Sequence, residues 1–265
     1  MTQPPIIVLL TDFGTSDTFV GVMKGVIASI CRHARVIDLT HAIDAQDIRE
    51  AAFHLDRALP FFPEGTIFVC IVDPGVGTIR RPICVEAGPY RFVAPDNGVL
   101  TPVFDRWPGA RCHLLSESRY HRPDPSATFH GRDIFSPVAA HLAAGVALEE
   151  TGPALNPASC ARIDMFANRP FENGPGWKGE VICIDRFGNI VTSFDASMLA
   201  DGASWAVTAG TAHSLPMANT YGDVEPGSPL AYIGSSGMVE IGVRNGNACS
   251  ELHIDRATPI YLHRM

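Results

Sequence analysis

The sequence predicts an α/β protein, with an amino-terminal α/β domain around a central, mostly parallel sheet and a smaller carboxy-terminal all-β domain. Over residues 1–155, short apolar runs alternate with helix-like periods, which is the order that builds a parallel sheet covered by helices. Over residues 179–265, short strand-like runs follow one another instead. Residues 156–178, rich in Pro, Gly and Asn, are predicted to be the linker between the two domains.

The individual elements follow from apolar periodicity along the chain. Strands are predicted for "PIIVLLTD", "VIDLT", "TIFVCIVD", "ICVEA" and "YRFVAP", which are short and rich in apolar residues. Helices are predicted for "FVGVMKGVIASI", "AQDIREAAFHLDRAL" and "DIFSPVAAHLAAG", the last of which ends at Gly145. In the second domain, "GEVICIDRFGNIVTSF" predicts two strands around an Arg-Phe-Gly-Asn turn.

Composition argues against several classes of function. Hydrophobic residues make up 46% of the chain and charged residues 18%, as in ordinary folded proteins. A net charge of −8 without clustered Lys or Arg argues against a nucleic-acid-binding surface. The longest apolar runs are far shorter than the roughly 20 residues of a membrane span. No basic segment precedes the first apolar run, so neither a membrane protein nor a secreted one is expected.

The seven cysteines are scattered, and none of them forms a C-x-x-C pair. This pattern predicts buried thiols in a reducing, cytoplasmic compartment rather than disulfides or zinc ligands. No grouping of His, Cys, Asp and Glu has the spacing of metal ligands, so no metal site is predicted.

Two carboxylates follow predicted buried strands, at the sheet edge where ligands of parallel sheets gather. Asp12 could accept hydrogen bonds from ribose hydroxyls, although a turn-forming or helix-capping role explains it equally well. Asp73 precedes a Pro-Gly turn and could simply stabilise it. A turn of this length can also return Arg80 toward Asp73, which predicts an ion pair at the pocket end of the sheet.

Other polar residues stand where a predicted element begins or turns. His130 lies just before a predicted helix and is followed by glycine, so it could face a ligand or water, or be structural. Asp185 and Asn189 flank a tight turn, where a carboxylate and an amide oxygen suit an ammonium group, although a plain hairpin is the alternative. Residues 234–249 are rich in Ser and Gly and could bind a carboxylate or a base edge, or form hairpin turns.

The order of six motifs resembles the S-adenosyl-L-methionine hydroxide adenosyltransferase family: "LLTDFGTSDTFVGVMKGVI", "IVDPGVGTIRRPI", "VAPDNGVL", "FHGRDIFSPVAAHLA", "DRFGNIVTSF" and "GSSGMVEIGV". The resemblance runs through nearly all of the chain. It implies an α/β domain joined to a smaller, barrel-like β domain, and a homotrimer with each site between the first domain of one subunit and the second domain of the next. The implied reaction is hydrolysis of S-adenosyl-L-methionine to adenosine and L-methionine, with no metal or second cofactor.

The resemblance also implies roles for individual residues. Asp73, Arg80 and His130 match the family's water-handling set. The implied substrate contacts are ribose hydroxyls at Asp12, the methionine amine at Asp185 and Asn189, adenine stacking at Tyr221, the methionine carboxylate at Ser235 and the adenine edge at the backbone of Val243.

Related fluorinating and chlorinating enzymes attack the same carbon with halide, and this sequence departs from them at several places. They carry tyrosine where Asp73 stands, and a Ser-Arg pair where Ser235 and Ser236 stand. The fluorinating enzymes also have an insertion ahead of the "APDNG" match. These departures favour water over halide. A halide-dependent adenosyltransferase and a non-catalytic adenosine- or S-adenosylmethionine-binding protein are the alternatives, and the complete water-handling set argues against the second.

Overall fold

The computed structural model describes residues 3–171, 174–210 and 212–265. The chain forms two compact units that divide between Met165 and Phe166. The predicted linker, residues 156–178, spans this division, because its last part forms two strands of the second unit's sheet.

The first unit alternates strands and helices through its first half. Its strands are β1 (Ile6–Thr11), β2 (Arg35–Thr40), β3 (Ile67–Ile71), β4 (Pro82–Ala87), β5 (Tyr90–Pro95), β6 (Arg111–Leu114) and β7 (Ala154–Leu155). Its α-helices are α1 (Phe19–Ile30), α2 (Ile48–Ala58), α3 (Thr101–Arg106) and α4 (Ser136–Ala143). A π-helical turn, Gly131–Phe135, leads directly into α4.

The strands of the first unit form one sheet in the order β2-β1-β3-β5-β4-β6-β7. β1 pairs in parallel with β2 and β3, and β3 pairs in parallel with β5. β4, β6 and β7 extend the sheet with antiparallel pairs. The predicted α/β class is therefore confirmed, and the antiparallel share of the sheet is larger than the sequence predicts.

Both faces of this sheet are covered, which explains why its strands are apolar without alternation. Ile7 and Leu9 pack in one core cluster with residues of α1 and α4, whereas Val8 and Leu10 pack in another with residues of α2 and α3. Successive side chains of a strand point to opposite faces, so a strand covered on both sides has no polar face.

The register of β1 and β3 determines where the candidate residues emerge. Thr11 at the end of β1 lies opposite Ile71 at the end of β3. Asp12 and the segment leading to Asp73 therefore leave the sheet at the same edge, formed by the carboxyl ends of parallel strands. This edge is the usual ligand-binding edge of an open α/β sheet.

The second unit is built almost entirely of strands. They are β8 (Arg169–Pro170), β9 (Gly176–Gly179), β10 (Val181–Ile184), β11 (Ile190–Asp195), β12 (Trp205–Ala209), β13 (Ala212–Ala218), β14 (Pro229–Ile233), β15 (Met238–Val243) and β16 (Ile260–Arg264). One short helix, α5 (Ala248–Glu251), follows β15. No helix in the described parts of either unit is both long and apolar enough to cross a membrane.

The sheet of the second unit curls on itself, in the order β10-β11-β15-β14-β13-β12-β16-β9-β8. Gly179, at the end of β9, packs so closely on β11 that a Cβ there would lie 2.4 Å from Ser193 Oγ. Glu180 N also donates to Ser193 Oγ (3.0 Å). The predicted barrel-like β domain is confirmed by this curled sheet, whose core contains Phe194, Ile241 and Leu262.

Candidate active site

The segment from Asp73 to Arg80 is a pair of successive turns after β3. Val76 N donates to Asp73 O (3.2 Å) and Thr78 N donates to Gly75 O (3.1 Å). Gly75 leaves room for the returning side chain, because a Cβ there would lie 3.2 Å from Arg80 Cγ. The turns fold the Arg80 side chain back onto Asp73, which is the arrangement that the sequence predicts.

Asp73 and Arg80 form a buried, two-pronged ion pair. Arg80 Nε donates to Asp73 Oδ1 (2.9 Å) and Oδ2 (3.0 Å), and Arg80 Nη2 also donates to Oδ2. The two side chains are 6% and 8% exposed, respectively. Because both charges are largely removed from water, removing either partner would leave the other one buried without compensation.

His130 joins this pair through its Nδ1 atom. Arg80 Nη2 donates to His130 Nδ1 (2.8 Å). A guanidinium can only donate, so Nδ1 must carry no proton, and the neutral ring carries its hydrogen on Nε2. The pairing therefore assigns the tautomer and leaves His130 with an N–H donor on the opposite side of its ring.

The surroundings of His130 favour this neutral ring. Burial lowers the pKa of His130, the positive charge of Arg80 lowers it further, and the negative charges of Asp73 and Asp133 oppose these effects. Burial also lowers the pKa of the neighbouring His121, with a further contribution from His130. At neutral pH the network therefore contains one carboxylate, one guanidinium and a neutral imidazole.

Two residues outside the predicted set, Phe135 and Asp133, support the network. The ring of Phe135 lies 5.2 Å from the guanidinium carbon of Arg80, within cation–π distance. Asp133 is 1% exposed and accepts from Ser126 N (2.9 Å), so it ties the preceding loop to the π-helical turn. The signal that could have identified Asp133 is a lone acidic residue at the start of an apolar helix.

Gly77→Ala is expected to destabilise the protein more than the matched control Gly65→Ala. The two glycines have φ angles of 77° and 80°, so both substitutions impose similar backbone strain. A Cβ at Gly77 would lie 2.8 Å from Ala127 O, whereas nothing lies within 4 Å of one at Gly65. This overpacking should cost about 1–3 kcal/mol more at Gly77. Equal melting temperatures of the two variants would contradict the prediction.

Asp12 makes its own contact at the same sheet edge. Its Oδ2 accepts from Gln46 N (2.8 Å), and Gln46 has a φ of 68°, so the carboxylate stabilises an unusual turn. Beside it, Thr11 Oγ1 and His41 Nδ1 are 2.8 Å apart. The contact with Gln46 stabilises a distant turn rather than a turn or helix cap of Asp12's own segment, and the carboxylate retains further acceptor capacity for a ligand.

In the second unit, Asp185 and Asn189 close the β10–β11 hairpin. Asp185 Oδ1 accepts from Phe187 N and Asn189 N, both at 2.8 Å. Asn189 Nδ2 donates to Asp185 Oδ2 (2.9 Å). The hairpin is therefore present, and the same contacts bring the two side chains together and hold them in one orientation.

Tyr221 and Val243 lie in the same region as Asn189. Gly242, next to Val243 in β15, packs closely against Asn189 and Tyr221. A Cβ at Gly242 would lie 2.9 Å from Asn189 Oδ1 and 3.0 Å from Tyr221 Cε1. The side chain of Val243 is buried. The structure therefore brings together an amide oxygen, an aromatic ring and the end of a strand around one glycine.

Ser235 is exposed in the turn between β14 and β15, where Gly237 N donates to Gly234 O (3.0 Å). Beneath this turn lie Tyr232 and Glu240, two buried residues outside the predicted set. The sequence feature that could have identified Glu240 is its position as a lone glutamate within the apolar strand "MVEIGV". Within the described ranges, no group of three or more His, Cys, Asp or Glu residues is placed to hold a metal ion.

Comparison with known proteins places these two groups of residues in a family context. Residues 7–152 match the family model of the SAM hydroxide adenosyltransferase N-terminal domain. Residues 179–261 match the model of the C-terminal domain of the same family. A Thermus thermophilus protein named (R)-S-adenosyl-L-methionine hydrolase is 39% identical over 261 residues, covering 96% of this chain and 97% of its own. A crystal structure of an uncharacterized conserved protein from Thermotoga maritima is 37% identical, with a TM-score of 0.86, and the match covers 97% of this chain and all of the other.

Halide enzymes are also similar to this chain, at lower identity. A protein of Actinopolyspora mzabensis named fluorinase is 30% identical over 272 residues, covering 89% of this chain and 90% of its own. The family match spans most of both units and agrees with the similarity to a hydrolase along nearly the whole chain. The chain belongs to the SAM hydroxide adenosyltransferase family.

Proposed function

We propose that the protein hydrolyses S-adenosyl-L-methionine to adenosine and L-methionine, by attack of water on the ribose 5′ carbon. The observation that carries the proposal is the buried network of Asp73, Arg80 and His130, at the edge of the sheet where ligands bind. The named hydrolase that resembles this chain throughout supports the same reaction.

The chemistry of the substrate makes such a network sufficient. A sulfonium leaves as neutral methionine, so the leaving group needs no acid, and the difficulty lies with water as a weak nucleophile. Asp73 would accept a proton from the attacking water, and proton transfer of this kind contributes about 10²–10⁴-fold. Arg80 would hold the carboxylate in place, and His130 would donate from Nε2 to the oxygen as negative charge develops on it. We propose that no metal or second cofactor takes part.

The remaining predicted residues would hold the substrate. We propose that Asp12 accepts from the ribose hydroxyls and that Ser235 contacts the methionine carboxylate. The paired oxygens of Asp185 and Asn189 suit the methionine ammonium, because both can accept hydrogen bonds from it. Tyr221 would stack on adenine, and the backbone of Val243 would contact the adenine edge; the close packing of the Tyr221 and Asn189 side chains around Gly242 supports this grouping.

A halide-dependent reaction is a weaker candidate, despite the similarity to a fluorinase. A halide must approach the 5′ carbon as an anion, and a buried carboxylate at Asp73 would repel it. Water instead gains a proton acceptor there. The same network makes a pure binding protein less plausible, because binding adenosine does not require a proton acceptor beside the reacting carbon.

We further propose that the active form is a homotrimer, in which the Asp73 group of one subunit and the Asp185 group of the next complete each site. Two exposed apolar side chains support this assembly. Ile79 is 102% exposed beside Arg80, and Phe187 is 75% exposed in the turn that Asp185 closes. In the proposed assembly a neighbouring subunit would cover each of these side chains and remove its apolar surface from water. Sedimentation should give three times the 28.5 kDa chain mass, and a monomer would contradict the assembly.

We also propose a cytoplasmic location. The Sγ atoms of Cys112 and Cys160 are 3.7 Å apart, well beyond a disulfide bond of about 2.05 Å. The proposal rests on the scattered spacing of the seven cysteines, which suits thiols in a reducing compartment better than a disulfide framework.

Turnover is expected to fall on acidification at a pH below about 6.5, the ordinary pKa of histidine. The sign follows from the lowered pKa of His130: the neutral ring persists to lower pH than usual, and its protonation then removes the acceptor of the Arg80 hydrogen bond. Asp73, Asp133 and His121 also face this ring. His130→Asn keeps an acceptor oxygen but does not titrate, so the acid limb of kcat should move to lower pH. An unchanged limb would contradict the assignment.

The proposed reaction is tested by incubating the protein with S-adenosyl-L-methionine in water enriched in heavy oxygen and analysing the products by chromatography and mass spectrometry. Heavy oxygen at the 5′ position of adenosine would support direct attack at carbon. A parallel incubation with chloride tests the halide alternative, whose product is a 5′-chloro nucleoside. Adenosine binding without any adenosine formation would instead identify a binding protein.

A further inference from the structure

Glu240 is a buried acidic residue in the middle of a core strand. It is 9% exposed, in β15, where it pairs across the sheet with Tyr232 of β14 and Val191 of β11. Its two oxygens accept from hydroxyl groups: Oε2 from Tyr232 Oη (2.8 Å) and Oε1 from Ser236 Oγ (3.2 Å). Burial raises the pKa of Glu240, the hydrogen bonds from Tyr232 and Ser236 partly oppose this rise, and the negative charge of Asp185 adds to it.

A buried carboxylate costs free energy, even when hydroxyls satisfy part of its hydrogen-bonding capacity. Met238, two positions before Glu240 and therefore on the same face of β15, is apolar and fully buried, so an apolar residue would also fit at position 240. A charged group that breaks the local pattern of a core is characteristic of a functional site. The role of Glu240 must therefore lie in what it holds.

The first element that Glu240 holds is Tyr221. The carboxylate accepts from Tyr232, so the single hydroxyl hydrogen of Tyr232 is already used. Tyr221 Oη lies 2.5 Å from Tyr232 Oη and must therefore be the donor in that contact. The chain of hydrogen bonds runs from Tyr221 through Tyr232 to Glu240, which fixes the direction of the Tyr221 ring and leaves its oxygen as an acceptor only.

The second element is the turn from Gly234 to Gly237, which carries Ser235. Ser236 Oγ donates to the same carboxylate, and Gly234 lies directly on it, because a Cβ at Gly234 would be only 1.9 Å from Glu240 Oε1. A glycine is required at this point for the turn to reach the carboxylate.

We propose that Glu240 is a positioning residue that sets Tyr221 and the Ser235 turn in one shared arrangement, so that the adenine and methionine ends of the substrate are bound together. This inference rests on the proposed function, since it assigns those two elements to the substrate. Glu240 itself contacts neither end. Its contribution is to substrate affinity rather than to the chemical step.

The test compares kcat, KM for S-adenosyl-L-methionine and the Kd of adenosine across a set of variants. Glu240→Leu fills the strand position but accepts no hydrogen bond, so KM and the adenosine Kd should both rise about tenfold or more, with kcat within about twofold. Glu240→Gln can accept from Tyr232 and donate to Ser236, so it should restore both values to within about threefold. Glu225→Gln, at an exposed position of the same unit, is the control and should match the wild type.

Two further variants test separately the link from Glu240 to Tyr221 and the link from Glu240 to the Ser235 turn. Tyr232→Phe breaks the link to Tyr221 and should raise the adenosine Kd about fivefold. Ser236→Ala should raise KM for S-adenosyl-L-methionine while leaving the adenosine Kd unchanged. If Glu240→Leu lowers the melting temperature or the yield of active protein but leaves KM and Kd at wild-type values, Glu240 is merely structural and the inference is overturned.

The hydrolase proposal and the positioning role of Glu240 can be refuted independently of one another. A wild-type protein that binds adenosine but forms none from S-adenosyl-L-methionine would refute the hydrolase proposal, while the adenosine Kd values would still test the positioning role. A wild-type protein that neither turns over nor binds adenosine would overturn both.

Discussion

Asp73→Asn is expected to lower kcat by about 10²–10⁴-fold, the usual contribution of a positioned proton acceptor. An amide cannot take the proton of the attacking water, and its NH₂ group would face the donors of Arg80 instead of accepting from them. Adenosine binding should remain measurable, because none of the residues assigned to the nucleoside is altered. Chromatographic assay of adenosine at saturating substrate, with calorimetry for adenosine binding, measures the two effects separately.

A second ion pair in the same unit provides a matched control. Arg81 Nε donates to Asp96 Oδ2 (2.8 Å), and the Asp96 side chain is as buried as that of Asp73, at 6% exposed. Arg81 is 33% exposed, so water can partly compensate it, and Asp96→Asn should cost less stability than Asp73→Asn without lowering kcat more than about twofold. Equal losses of kcat in the Asp73 and Asp96 variants would remove Asp73 from the mechanism.

The sequence was sufficient to predict the fold class because the apolar runs of the strands and the apolar periodicity of the helices are both local patterns. Five-residue apolar runs separated by helical periods specify strands covered on both faces, and β1 and β3 have this arrangement. The antiparallel extension by β4, β6 and β7 could not be predicted, because strand order depends on long-range pairing that periodicity does not encode. The two strands β8 and β9 could not be predicted for a similar reason: they are short and contain Gly or Pro, and β9, which pairs with β8, is itself paired with the distant β16.

The contacts of the candidate site likewise include some that the sequence predicts and some that it does not. The Asp73–Arg80 contact was predictable, since a turn of known length joins the two residues. His130 lies fifty positions after Arg80 in the sequence, and its place beside Asp73 and Arg80 was implied only by the family resemblance. Glu240 and Tyr232 were missed because they act through side chains that meet across neighbouring strands, and a single glutamate in an apolar run carries no indication of its partner.

Arg80→Lys is expected to lower kcat by about 10²–10³-fold, the loss typical of removing one preorganised donor from a charge-stabilising site. The substitution keeps the charge but removes the planar fork. A single ammonium cannot reproduce donation from Nε to both oxygens of Asp73 together with donation from Nη2 to His130 Nδ1. The carboxylate would lose its fixed plane, and His130 would lose the hydrogen bond that assigns its tautomer.

The control for this prediction is the neighbouring arginine. Arg81 also donates to a carboxylate, and its Nη2 additionally donates to Ser159 O (2.7 Å), but it belongs to the Asp96 pair. Arg81→Lys should leave kcat within about twofold, whereas in Arg80→Lys the loss should appear in kcat with KM changed less than about threefold, because Arg80 holds Asp73 and His130, the two residues assigned to the water, and is not assigned to substrate binding. A rise in KM at unchanged kcat would instead make Arg80 a substrate-binding residue and would leave the water to Asp73 and His130 alone.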